Sequence, residues 1–172
     1  SRLKNIPAPV NASLQKPQWS NDGGKITFIY LTEAGEGILS YGLNDEKWEI
    51  LITAGRDDLQ SSFLRNDSLF FVTSANGTDN VYLLDPDKKL VQVTNSRFGV
   101  NDLSISGSSV FFSDYSSTGN NICSISLKDV KGDPAKSFRP DAYLTDRLEI
   151  NKGSNYEVDE KEYTPEPYRK WK

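Results

Sequence analysis

An all-β protein built from repeated four-stranded units is what three observations predict. The run Ile26-Thr27-Phe28-Ile29 recurs as Leu69-Phe70-Phe71-Val72 and again as Val110-Phe111-Phe112-Ser113, at offsets of 43 and 41 residues. A second marker, Ile50-Leu51-Ile52-Thr53, recurs 41 residues on as Val91-Gln92-Val93-Thr94, and Arg56 and Arg97 follow the two at the same spacing. Turn-forming residues separate the runs at matching places. Four short strands in every roughly 40–45 residues is the pattern of propeller blades. The predicted class is therefore a partial β-propeller of about three four-stranded antiparallel blades.

The strands follow in order. The first unit gives Pro17–Ser20, Lys25–Leu31, Ile38–Leu43 and Trp48–Thr53. The second gives Ser61–Leu64, Ser68–Thr73, Asn80–Leu84 and Leu90–Thr94. The third gives Asp102–Ile105, Val110–Ser113 and Asn121–Leu127, after which the pattern fades. These runs are rich in Ile, Val, Phe and Tyr, which suit a half-buried pleated surface. Between them stand Asn21-Asp22-Gly23-Gly24, Arg65-Asn66-Asp67 and Ser106-Gly107-Ser108 as first hairpin turns. Asn44–Lys47 and Asp85–Lys88 serve as third turns. Gly and Asn accept positive φ, while Pro and Asp pre-set a turn, so each position can reverse the chain.

No stretch holds a 3.6-residue period for three turns, which removes a helical reading. A β-sandwich also uses short strands and regular turns, but matching hairpin chemistry at constant offsets favours the propeller. The blades are placed at 17–57, 58–98 and 99–150. Residues 1–16 are a lead-in, with Leu3 and Ile6 placed to form the outer strand of a preceding blade. Residues 151–172 form a polar linker to a following domain. Three blades are too few to close a ring, since propellers typically have about four to eight, so a longer parent protein is expected. Ser1, in a chain with no methionine, reads as a processed or cut boundary.

Composition bounds the chemistry. At 172 residues the chain is long enough for a real core, and its net charge of −4 comes from acids and bases mixed along its length. No basic patch points to nucleic acid. The absence of histidine removes imidazole bases, Ser-His-Asp triads and His-ligated zinc. Cys123 stands alone in an apolar alternation and is expected as a buried, inert thiol. No apolar run approaches the roughly 20 residues of a membrane-spanning helix.

The segment Pro17-Gln18-Trp19-Ser20-Asn21-Asp22-Gly23-Gly24-Lys25-Ile26-Thr27-Phe28 resembles the TolB-like propeller repeat, in which Pro-x-Trp-Ser-Pro-Asp-Gly-Lys leads into an apolar strand. Asn21 replaces the usual proline here, and the turn holds an extra glycine. The second and third units keep the strand pattern without the motif. Such repeats occur in periplasmic scaffolding proteins, in propellers of prolyl-oligopeptidase-like enzymes and in large bacterial envelope proteins. The ending Tyr163–Lys172 is similar to the exit segment of the last group, where a propeller can precede an outer-membrane barrel. The resemblance thus implies a bacterial cell-envelope setting, periplasmic or outer-membrane associated. Contact with a membrane would come only through a following domain.

Local constellations read as structure before chemistry. Ser20–Phe28 nearly spells the Asp box of sialidases, but one residue too many separates glycine from threonine, and a hairpin turn accounts for it. Asp85-Pro86-Asp87 begins like a calcium loop, yet Lys89 occupies the next ligand position. Sequons at Asn11, Asn66 and Asn76 are what this much Ser and Thr gives by chance. Phe28, Phe70, Phe71, Phe111, Phe112 and Tyr82 are expected between blades, and Trp48 over an outer edge.

No catalytic residue, metal ligand or cofactor site is expected. In a propeller the inter-unit connections and second hairpin loops share one face. Here that face gathers Arg56, Asp57, Asp58, Arg97, Asn101 and Asp102, joined by Asn76, Asp79 and Asp114 from hairpin loops. Arginine forks beside carboxylates suit a protein or other polar ligand. The expected function is a non-catalytic binding or scaffolding segment of a larger envelope protein, its other partners being the remaining blades of the parent chain. The second reading is an accessory, gating propeller of a prolyl-oligopeptidase-like peptidase whose catalytic domain lies outside this chain.

Overall fold

The computed structural model describes residues 5–9, 11–130 and the backbone of 133–134. The chain divides into two compact units, 1–140 and 141–172, and every described residue lies in the first. The linker expected over 151–172 and the end of the third unit fall outside the described residues.

Twelve strands are described, all paired antiparallel. The first sheet runs β1 (Ser13–Trp19), β2 (Lys25–Thr32), β3 (Gly35–Gly42), β4 (Trp48–Gly55) in spatial as in chain order. The second contains β5 (Leu59–Arg65), β6 (Ser68–Thr73), β7 (Asn80–Leu84) and β8 (Leu90–Gln92) in the same meander. The third contains β9 (Val100–Ser106), β10 (Ser109–Ser116) and β11 (Gly119–Ser126). Each sheet is a blade, and the first strand of each, β1, β5 or β9, is its inner strand. With β5 between β1 and β9, the inner strands stand side by side.

Three expectations need correction. The first blade starts at Ser13 rather than residue 17, and the described lead-in residues 5–9, 11 and 12, Ile6 among them, form no strand. Ser13–Lys16 is mostly polar, and a register shift between Gln15 and Gln18 breaks its alternation. The next strand after β11, β12 (Asp133–Pro134), pairs with β8 at the outer edge of the second blade. Residues 133–134, expected in the third blade, therefore add to the second, where a proline suits an edge strand. β8 itself ends at Gln92, not Thr94, because Val93 leaves the ladder while still donating to the Val81 carbonyl at 2.8 Å.

The blades stack face to face, and the pleat decides which aromatic goes where. Leu69 and Phe71 of β6 point toward the first blade and join Ile29, Ile38, Ile52, Leu59, Leu64 and Tyr82. Phe70 and Val72, one residue out of phase, point toward the third blade and join Val81, Val100, Leu103, Val110 and Phe112. A strand buried on both faces reads as a continuous apolar run, which is why Leu69–Val72 shows no alternation. Phe71 and Tyr82, register partners, stack at 5.8 Å between centroids, and burial pushes the Tyr82 hydroxyl above its ordinary pKa.

Phe28 and Phe111 do not lie between the described blades. Phe28 packs on Trp48, 5.5 Å away, and Trp48 on Tyr41, all on the other face of the first blade. Phe111 is 37% exposed, on the opposite side of β10 from Phe112. Cys123 is half-buried at the margin of the second core rather than within it.

Candidate functional site

The inner strands enclose a polar groove, and a repeated backbone irregularity shapes it. Each inner strand shifts register once: between Gln15 and Gln18 in β1, between Leu59 and Ser61 in β5, and opposite Phe111 to Ser113 in β9. A bulge re-aims the side chain it carries. The residues at the three irregularities are Lys16, Gln60 and Asp102, and Lys16 and Asp102 adopt positive φ of 50° and 56°. All three line one cavity of about 460 Å³, together with Gln18, Ser61, Asn101 and Leu103. Gln60 donates to Asp79 Oδ2 at 2.9 Å, and Ser113 donates to Asp102 Oδ2 at 3.3 Å, so two of the polar groups are held in place.

Of the residues the sequence singles out, the groove takes Asn101 and Asp102. Arg56, Asp57 and Asp58 form the connection from β4 to β5, and Arg97 lies in the connection from β8 to β9. Both connections enter the inner strands at the groove's Lys16–Asp102 end. Arg56, Asp58 and Arg97 are exposed. The Arg97 guanidinium lies 5.2 Å from the centre of the Phe98 ring, which meets Tyr115 edge-on. Asp57 is only 6% exposed, which removes it as a surface contact.

The loop residues Asn76, Asp79 and Asp114 are engaged internally. Asn76 donates to Gln92 Oε1 at 2.7 Å, and Asp114 accepts from the Ser96 hydroxyl. The Asp79 carbonyl accepts from the Val100 amide at 2.9 Å, while the Glu36 carboxylate accepts from the Leu59 amide at 2.8 Å. Each bond ties the start of an inner strand to the preceding blade.

At the other end, the turns are consumed by their own geometry. Ser20 donates to Asp22 Oδ1 at 2.6 Å, and the Gly24 amide donates to the same oxygen at 3.0 Å. The Ser20 hydroxyl, and secondarily that amide, hold the Asp22 carboxyl below its ordinary pKa. The Lys89 amide donates to Asp85 Oδ1 at 2.8 Å, which closes the supposed calcium loop as a turn. Among the described residues, no three His, Cys, Asp or Glu side chains come together as a metal site.

The sequence reading missed Lys16, Gln18 and Gln60. Their signal is weak, because a bulge displaces a side chain without leaving a characteristic residue. It also missed the role of Asn21. Asn21 donates through Nδ2 to Asn66 Oδ1 at 3.3 Å and accepts at Oδ1 from the Asn66 amide at 3.2 Å. The residue that departs from the repeat motif thus fastens the first hairpin turns of two blades together.

No protein-family model matches the chain, and no curated protein matches it. Solved structures do. A TolB from Agrobacterium tumefaciens aligns with a TM-score of 0.55 at 19% identity, covering 76% of this chain and 50% of that one. TolB from Acinetobacter baumannii aligns with a TM-score of 0.59 at 17% identity, covering 74% and 34%. A prolyl endopeptidase aligns with a TM-score of 0.54 at 15% identity, covering 77% and 20%. The chain therefore spans half or less of the length of each of these proteins. What it shares with them is the fold, that of a TolB-like β-propeller, of which these sheets form three blades.

Proposed function

We propose that this chain is a non-catalytic binding segment of a larger cell-envelope protein, which holds a polar polypeptide partner at the loop end of its inner strands. The observation that carries this reading is that Lys16, Gln60 and Asp102, the residues at the irregularities of the three inner strands, line one groove. A cation, an amide and a carboxylate in one groove can match backbone and side-chain groups of an extended peptide. Arg56, Asp58 and Arg97 extend the recognition surface onto the rim, the two arginines acting from equivalent positions in successive blades. Asn101 belongs to the groove itself. The TolB likeness supports the envelope setting, and no cofactor is required.

The test is affinity for a partner captured from bacterial envelope extract. Arg56→Ala with Arg97→Ala is expected to weaken binding about tenfold, as the loss of charge-assisted hydrogen bonds would. Asp45→Ala with Asp87→Ala, in the opposite turns, should leave it unchanged. The reverse outcome would place recognition at the other end.

The prolyl endopeptidase likeness supports a second reading, an accessory propeller that gates a peptidase domain encoded beyond this chain. The parent reading frame separates the two. A following Ser-Asp-His hydrolase domain favours gating, and a following membrane barrel favours the envelope reading.

A further inference from the structure

At the turn end of the inner strands, away from the rim just described, a second recess of about 530 Å³ opens between β1, β5 and β9. Its lining includes Trp19, Asn21, Phe63, Arg65 and Ile105, and Arg65 is the one charged residue in it. Trp19 is 57% exposed, a large aromatic surface left at the mouth. Phe63 and Ile105, both partly buried, supply an apolar wall. Arg65 Nη1 is cut off from solvent and has no hydrogen-bond partner, and among the described residues no carboxylate pairs with the guanidinium. The recess is braced, because the Asn21–Asn66 pair and the Asn21 amide bond to the Leu64 carbonyl, 3.1 Å, join the turns on either side.

A partly desolvated guanidinium without a counter-ion gains more from an incoming anion than a solvated one does. Its planar fork fits a carboxylate. One positive charge in an otherwise neutral lining matches a single negative charge better than the double charge of a phosphate monoester. The exposed indole and the apolar wall add a seat for an aromatic or aliphatic neighbour. The geometry points to a peptide carboxylate site, in which Arg65 binds the carboxylate and Trp19 with Phe63 packs the adjoining apolar side chain. This site is independent of the loop-end groove.

The probe is N-acetyl-Gly-Ala-Phe with a free C-terminus, titrated into the full chain while the Trp19 indole N–H is followed by NMR. N-acetyl-Gly-Ala-Phe-amide and N-acetyl-Gly-Glu-Phe-amide form the other arms. The free acid is expected to shift the Trp19 resonance saturably and to bind tenfold or more tightly than the plain amide. Binding of the Glu peptide as well would assign the site to any peptide carboxylate, and its failure would assign it to the C-terminus alone. Arg65→Gln should bring free acid and amide to the same weak affinity, whereas Arg56→Ala with Arg97→Ala should change neither. Arg65→Lys, which keeps the charge and loses the fork, should retain part of the preference and serves if the Gln variant fails to fold. Equal binding of acid and amide by the unmodified chain, or no saturable shift up to about 1 mM peptide, would overturn the assignment.

Discussion

Replacing Phe71 with alanine is expected to cost about 3–5 kcal/mol of stability. The ring is fully buried, stacks on Tyr82 and fills the interface between the first two blades. Little around it can collapse into the space. Its neighbours on β6 point the other way, and the isoleucines opposite are fixed in the ladders of the first sheet. Since a domain's net stability is about 5–15 kcal/mol, the variant would approach unfolding at ordinary temperature. Denaturant midpoints at constant m-value check this. Phe112, at 8% exposure in the other interface, sits closer to water. A loss below about 1 kcal/mol at Phe71 would contradict its burial between the blades.

Gly35→Ala is expected to be as damaging through the backbone alone. Gly35 begins β3 with φ +111°, a conformation that side-chain-bearing residues rarely adopt. An added Cβ would lie 1.9 Å from the Gly55 carbonyl oxygen and 2.6 Å from its carbon. Relief requires parting β3 from β4 where Glu36 pairs with Gly55 and where its carboxylate anchors the next inner strand through Leu59. The expected loss exceeds about 3 kcal/mol and should weaken the first blade's grip on the second. Gly77→Ala provides the contrast. It has positive φ of 86° but nothing within 4 Å, so only strain of about 1 kcal/mol is expected. Equal losses at the two positions, read from thermal melts, would show that the collision at Gly35 is relieved at no cost.

The sequence was most legible where burial is complete. Ser68–Thr73 and Asn80–Leu84 were predicted with the bounds the structure has, because the middle blade is covered on both faces and its strands are written in apolar residues. Legibility falls at the inner strands. β1 has one Leu and one Trp among polar residues, and its irregularity hides the period, so its first four residues went unread. The same feature explains the partial view of the site. Loop arginines and aspartates stand out in a sequence, whereas Lys16 and Gln60 become groove residues only through strand bulges. Asp57 misleads for the opposite reason, since a charged residue in a linker looks exposed in the sequence, whereas this one is 6% exposed. In the sequence Arg65 belongs to a hairpin turn and Trp19 to the repeat motif. Their common recess exists because three non-consecutive strands meet there.

Adjacent residues of one strand, Phe70 and Phe71, separate into two different blade interfaces. Side-chain NOEs test it most directly. Cross-peaks are expected from the Phe71 ring to the methyls of Ile29 or Ile38, and from the Phe70 ring to those of Val100 or Val110, with neither ring reaching the other set. Phe70 and Phe71 contacting the same set of methyls, as in a sandwich with a single core, would contradict it.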